Sequence, residues 1–271
     1  MHLKKPNHLL RGLLLLLPLV FVLAGTGSVS YADTLSTIKE RGELIAGVKA
    51  QYPPFGFVDS SGKNAGFDVD LSRELARGLF GNPDKVKFVT VTSGNRVPYL
   101  QSKKIDIIAA TVTVTDERKK TVDFSDPYFN SGTLILVPKS SSITGINDLA
   151  GKKVAVIQGS IQVEDLADLA PKATLIKFGK TSEAVLAVKT GRADAYAHDD
   201  IAILDIAHGD PGLKVVGEDY RPRPFAMAVR KDDAEFLKFV NDRIREMKKD
   251  GTFDKLWNRW FGDYKKLVKP Q

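Results

Sequence analysis

The sequence predicts an α/β protein of two lobes, with a parallel-rich sheet and flanking helices in each lobe and a two-strand hinge between them. Three observations predict it. Short apolar runs of strand length alternate with amphipathic segments of helix length, the pattern of parallel βαβ units. The alternation occurs twice in tandem, first between Leu44 and Ala110 and again between Val154 and Ala197. Two further extended segments, near Thr133–Val137 and Phe225–Val229, read as crossings between the two units. One lobe is then expected over residues 33–134, the other over 135–226, with residues 227–271 returning to the first. A single continuous α/β domain is the competing reading of the same pattern.

The elements follow in order. Leu35 to Arg41 is a short helix with Gly42 as its stop. Leu44 to Val48 is the first strand, and Lys49 to Phe57 a loop rich in aromatic residues and proline. Asp59-Ser-Ser-Gly is a turn. Gly66 to Phe80 is a helix with acids early and apolar residues at helical spacing. Val86 to Val91 is a strand, and Val97 to Ser102 a short helix with proline near its start. Ile105 to Ala110 is a strand buried on both faces. The second unit has strands at Val154–Gln158, Thr174–Phe178 and Ala193–Ala197, and helices at Ile161–Leu169, Ser182–Gly191 and Ile201–Ala207. A last strand runs from Pro224 to Arg230, and two amphipathic helices, Glu235–Lys249 and Phe253–Phe261, follow it.

The 271-residue chain opens with Lys4, Lys5 and Arg11, an apolar run from Leu13 to Leu23, and Ser30-Tyr31-Ala32. That is the n-region, h-region and small-residue site of a secretory signal, so residues 1–32 are expected to be cleaved. There are no cysteines. Disulfides, thiolate metal sites, a Cys nucleophile and a lipid anchor on an N-terminal Cys are therefore excluded. An unanchored exported chain points to a periplasm. The formal charge of +7 is interspersed, with no basic stripe or aromatic platform, which argues against a nucleic-acid partner.

Chemistry concentrates after the strand Ile105–Ala110. Hydroxyls follow at Thr111, Thr113 and Thr115, then Asp116, Glu117 and Arg118. Thr115 is suited to capping a helix, and acids in the first turn suit its dipole. Arg118 thus stands at the carboxyl end of a strand, where open α/β sheets bind ligands. Its planar fork of donors pairs a carboxylate through two parallel hydrogen bonds. A carboxylate site is one reading of these residues, and an ordinary surface Arg is the other.

Six segments in a fixed order carry a family resemblance. They are Gly47-Val-Lys-Ala-Gln-Tyr-Pro-Pro-Phe-Gly-Phe, Gly66-Phe-Asp-Val-Asp-Leu, Thr111-Val-Thr-Val-Thr-Asp-Glu-Arg, Asp123-Phe-Ser-Asp-Pro-Tyr, Val154-Ala-Val-Ile-Gln-Gly-Ser and Arg192-Ala-Asp-Ala-Tyr-Ala-His-Asp. With them the chain resembles the periplasmic amino-acid-binding proteins of ABC importers, the polar amino acid family of solute-binding proteins. The resemblance implies the type II periplasmic-binding-protein fold, no enzymatic activity, no cofactor, a monomer, and an inner-membrane ABC permease as partner. It also implies a site. Arg118 would grip the α-carboxylate of an amino acid, with Thr113 and the backbone at Thr111 helping. Ser160 and the N–H of Ile161 would hold the same carboxylate from the other lobe, at a helix start. Asp199 would pair with the α-ammonium. Tyr52 and Phe55 match aromatics that cover the ligand, with a core role the stronger expectation for Phe55.

Two cations bear on specificity. Lys49 ends the first strand, and Arg96 starts the helix after the second, in Ser93-Gly-Asn-Arg-Val-Pro. Glutamine-binding relatives carry an acidic and an apolar residue there, whereas relatives that bind aspartate and glutamate look like this chain. The expected ligand is therefore an acidic amino acid, with glutamine or asparagine as the alternative if Lys49 and Arg96 are solvated rim charges.

Enzyme motifs are absent or incomplete. Gly179-Lys180-Thr181 copies the tail of a P-loop, but Thr174 stands where that motif needs its first glycine. No G-x-S-x-G or H-E-x-x-H occurs. His198-Asp199-Asp200 lacks further ligands at metal-site spacing. The remaining enzyme reading is a dehydratase of cyclic carboxylic acids on the same scaffold, with Glu164 as the nearest general acid and a solvent-facing position the stronger expectation for it.

Overall fold

The computed structural model describes residues 1–2 and 33–262, so the expected signal lies almost wholly outside the described residues. In chain order the elements are α1 (Thr34–Arg41), β1 (Leu44–Val48), β2 (Gln51–Tyr52), β3 (Gly56–Val58), β4 (Asn64–Ala65), α2 (Phe67–Phe80), β5 (Val86–Thr90), α3 (Arg96–Gln101), β6 (Ile107–Thr113), α4 (Asp116–Lys119) and β7 (Val122–Phe124). They continue with β8 (Phe129–Pro138), a 3-10 turn (Ile146–Leu149), β9 (Lys153–Ile157), α5 (Ile161–Leu169), β10 (Thr174–Phe178), α6 (Thr181–Lys189), β11 (Ala195–Asp199), α7 (Asp200–Gly209), β12 (Leu213–Arg230), α8 (Ala234–Lys249) and α9 (Thr252–Phe261).

Two parallel cores are joined through two long antiparallel strands. β1 pairs in parallel with β5 and β6 in one lobe, and β9 with β10 and β11 in the other. Between them lie β8 and β12, in the order β10-β9-β11-β8-β12-β6-β1-β5, with β7 also on β12. β8 and β12 pair antiparallel from Leu213↔Pro138 to Phe225↔Phe129, with register shifts on the way. These are the two strands that connect the lobes.

Period-2 side chains explain the second lobe. Ile135 and Val137 pack with Val154 and Val156 on one face, while Leu134 and Leu136 pack with Ala155 and Tyr196 on the other. Both faces of such a sheet need cover, which α5 and α6 supply. The first lobe closes around aromatics. Phe253, Trp257 and Phe261, spaced four apart, put one face of α9 into the core. Phe67 and Phe129 meet that face, and Phe55 stands edge-on to Phe129 at 4.9 Å between ring centres. Phe55 is fully buried and belongs to the core rather than to a ligand surface.

Four segments depart from the sequence expectations. β6 runs on through Val112 to Thr113, although threonine is polar, because β-branched side chains suit a strand and these are buried. The aromatic loop after β1 contains a small three-stranded sheet, β2-β3-β4, with Tyr52 opposite Gly56. β7 is a short strand held only along β12. β12 begins at Leu213, eleven residues before the expected Pro224, and Gly217, Pro222 and Pro224 disguise it. Gly217 and Pro222 sit where its pairing is irregular, as breakers in strands do, whereas Pro224 pairs in register with Asn130.

Candidate functional site

The parallel strands deliver polar residues to one edge. Lys49 follows β1, Arg96 opens the helix after β5, and Thr111 and Thr113 end β6 just before α4, which carries Arg118. From the second lobe, Ser160 follows β9 as the N-cap of α5, and Asp199 ends β11. All stand at carboxyl ends of strands, the place where open α/β sheets bind ligands.

The two lobes meet here through hydrogen bonds. The Tyr52 hydroxyl, from the first lobe, donates to Asp199 Oδ2 at 2.6 Å. Arg118 Nη1 donates to the Thr113 carbonyl at 2.9 Å, and Nη2 to the Gly159 carbonyl of the second lobe at 3.3 Å. The lobes touch so closely beside this bond that a Cβ on Gly159 would lie 2.7 Å from the Gly94 Cα. Gly159 also has φ of +76°, so glycine is required twice over.

Each expected residue can be placed. Lys49 Nζ stands 4.0 Å from the Tyr52 ring centre, a cation–π contact. Arg96 Nη1 donates to the carbonyls of Ala110 at 2.5 Å and Thr111 at 3.1 Å. Lys49 is 8% exposed and Arg96 3%, so neither is a solvated rim charge. Thr111 has φ of +48° and gives its N–H to Asp68 Oδ2 at 3.1 Å. The Thr115 hydroxyl caps α4 by accepting the Arg118 N–H. Ser160 and Ile161 are buried at the start of α5, and among the described residues neither the Ser160 nor the Thr111 hydroxyl has a hydrogen-bond partner. Asp199 Oδ1 accepts from Gln162 Nε2 at 2.9 Å. The expected residues thus stand at strand ends of both lobes, with Tyr52–Asp199 and Arg118–Gly159 as the hydrogen bonds between them.

Electrostatics sharpen the arrangement. Burial, and then Arg96, pull the Lys49 ammonium down to about 8, while Asp199 and Asp68 resist the shift. It stays charged at neutral pH. Burial also lowers Arg96 and Arg118, though a guanidinium remains protonated. Burial works to raise Asp199, but His198, Lys49 and the Tyr52 hydroxyl together hold its carboxyl below the usual range. His198 itself is held down, first by burial, while Asp199 resists that shift. The site thus presents a firm anion in one lobe and a firm guanidinium in the other.

A cavity of about 170 Å³ opens beside Lys49 and Tyr52, lined also by Thr92, Ser93, Thr181 and His198. Thr181 comes from the segment that copies a P-loop tail, which here starts α6. Glu164 is 55% exposed and 4.0 Å from Arg118, at the outside of the cleft. Among the described residues no group of three acids and histidines could hold a metal.

Sequence reasoning missed two buried partners. Asp68 is fully buried at the start of α2, where burial pushes it up to about 7 against the pull of the Tyr128 hydroxyl and the Thr111 N–H. Its signal was an acid directly after Phe67, inside the apolar stripe of an amphipathic helix. Gln162 is 1% exposed and donates to both Asp199 and the Thr133 hydroxyl. Its signal was a polar residue between Ile161 and Val163 in the first turn of α5.

Comparison with known proteins gives this geometry a family. The profile described as bacterial extracellular solute-binding proteins, family 3, matches residues 44–263. The chain is 36% identical to the ABC transporter glutamine-binding protein of Bacillus subtilis (strain 168), over 85% of either chain. It is 38% identical to the L-cystine-binding protein of Escherichia coli (strain K12), over 95% of this chain and 98% of that one. The crystal structure of a solute receptor for L-cysteine of Neisseria gonorrhoeae superimposes with a TM-score of 0.83 at 38% identity, covering 87% of this chain and 97% of the other.

Proposed function

The chain belongs to the bacterial extracellular solute-binding proteins of family 3, and we propose that it captures a polar amino acid between its lobes and delivers it to an ABC permease. One observation carries this reading: Arg118 and Asp199, opposite charges from opposite lobes, converge on one cleft together with the free hydroxyl and helix start at Ser160. A zwitterion fits that pattern. Arg118 takes the α-carboxylate bidentately, with Thr113, Ser160 and the Ile161 N–H around it, and Asp199 takes the α-ammonium. The Thr111 backbone and Tyr52 complete the enclosure.

The work of the protein is clamp closure. Contacts from both lobes stabilise the closed form by the ligand's differential affinity for the two states. The moving bodies are residues 33–134 with 227–271, and residues 135–226, in an exported monomer freed of residues 1–32.

A neutral polar side chain, as in glutamine, is the reading that the relatives' names favour. It also agrees with Arg96 spending its Nη1 on two backbone carbonyls, which accounts for its burial without a ligand carboxylate. An acidic ligand keeps one specific support, the buried and charged Lys49 beside the cavity, because a ligand carboxylate there would offset its desolvation. Titrating protein stripped of carried ligand with Gln, Asn, Glu, Asp, cystine, His and Arg separates the readings. Binding of glutamine or cystine above the acids supports the neutral reading, binding of Glu or Asp alone the acidic one, and silence with all seven overturns amino-acid capture.

A further inference from the structure

Thr111 has a backbone that its own side chain resists. At φ of +48° it occupies the left-handed region, an outlier for a β-branched residue. Such a conformation costs roughly 1–3 kcal/mol and persists only where the surroundings over-determine it. Two buried polar side chains supply that determination. The Ala110–Thr111 peptide is gripped at both ends: Asp68 Oδ2 accepts its N–H at 3.1 Å, and Arg96 Nη1 donates to its carbonyl at 2.5 Å. The same Nη1 reaches the next carbonyl, that of Thr111, at 3.1 Å. In a regular strand successive carbonyls alternate in direction, so one nitrogen cannot serve both. It can do so where the chain kinks. The neighbouring strand agrees, since the β12–β6 register shifts between Ala226 and Ala228.

We propose that Asp68 and Arg96 are positioning residues that lock the Thr111 backbone into this kink and thereby aim Thr111, Thr113 and Arg118 at the ligand. The chain of contact is short. Two residues after the kink, the Thr113 carbonyl seats Arg118 Nη1 at 2.9 Å, so the direction of β6 past Thr111 sets where the guanidinium fork stands. Asp68 is fully buried, with Lys49 and Arg96 as the neighbouring cations that act on it. The inference rests on the cleft being an amino-acid site and recasts Arg96 as a residue acting through the backbone rather than on the ligand side chain.

The test is rescue by glycine. Glycine populates the left-handed region without strain, so a glycine at 111 should no longer need the two grips. Affinities for L-glutamine and L-glutamate are measured by calorimetry for Asp68→Ala, Thr111→Gly and the double variant. Asp68→Ala is expected to weaken binding about tenfold, in line with one lost hydrogen bond to a charged group. In the Thr111→Gly background the same change should cost no more than about threefold. An Asp68→Ala loss that persists undiminished beside glycine overturns the proposal, as does a folded Asp68→Ala with unchanged affinity. Should Asp68→Ala not fold, Arg96→Met is the second variant, with the same rescue expected; a direct reader of the ligand would not be rescued. Hydrogen exchange at the Thr111 amide in ligand-free protein reads the hold separately. Faster exchange in Asp68→Ala is expected, and unchanged protection overturns the lock even where neither amino acid binds and the functional reading has failed.

Discussion

The two halves of the cleft are built on different plans. The half on the first lobe seats its cations within itself, although among the described residues the Thr111 hydroxyl and Asp68 Oδ1 have no partner. Arg118 is held by the Thr113 carbonyl, Arg96 by the carbonyls of Ala110 and Thr111, Thr111 by Asp68, and Lys49 lies over Tyr52. The half on the second lobe keeps unspent valences. Among the described residues the Ser160 hydroxyl and Gln162 Oε1 have no partner, and Asp199 Oδ2 takes its hydrogen bond from the opposite lobe. Groups that are already satisfied need no reorganisation to meet a ligand, whereas unsatisfied buried groups cost free energy until one arrives. We propose a division of labour on this basis: the first lobe, with its cations already seated, receives the amino acid, and the second closes on it.

Substitutions on either side of the cleft test this difference. On the second lobe the largest effect should come from Asp199→Ala, which deletes that lobe's carboxylate at the proposed site. Removing one partner of a buried charge pair costs about 2–5 kcal/mol, so a loss of at least thirtyfold is expected in calorimetry. A loss below threefold would mean that the ammonium is held elsewhere. Lys49→Met should come next, and it acts on selectivity. If Lys49 faces a ligand carboxylate, the ratio of glutamate to glutamine affinity falls about tenfold, the worth of a hydrogen bond to a charged group; an unchanged ratio leaves Lys49 to its contact with Tyr52. Ser160→Ala should weaken binding about fivefold, one ordinary hydrogen bond, and should slow closure more than capture. Equal affinities of this variant and the parent would remove Ser160 from the second lobe's share.

The smallest effect on binding, though not on stability, concerns protonation. Burial raises Asp68 and Asp200 to about 7 from an ordinary 3.8, with Ser131 and the Ile201 N–H partly opposing it at Asp200. A raised folded value means that the protonated form is favoured by folding. The stability it contributes is full below about pH 4 and is lost as pH rises through about 7. Asp199, held low, acts with the opposite sign and below that window. The thermal midpoint should therefore decline from about pH 4 to 7 by an amount that Asp68→Asn reduces, and a slope untouched by that change would contradict the assignment.

Much of this was legible in the chain. The strands β9 and β10 and helix α5 could be read almost residue by residue, because apolar runs buried on both faces and a helix starting after Gly159-Ser160 carry strong local signals. Thr115 announced the start of α4, and with it the seat of Arg118. What stayed hidden depends on partners distant in sequence. The first half of β12 is a strand only because β8 lies beside it, despite Gly217 and Pro222. Asp68 reaches the amide of Thr111 forty-three residues on, and nothing local marks Thr111 as left-handed. Lys49 and Arg96 were legible as cations, but not Arg96's attachment to the backbone, which weakens the link from these two charges to an acidic ligand.

Arg118→Ala is the variant that tests the central claim most directly, titrated calorimetrically against whichever amino acid the parent protein binds. Binding is expected to disappear for every amino acid, because all share the α-carboxylate that we propose Arg118 to grip. Retained micromolar binding would contradict that claim.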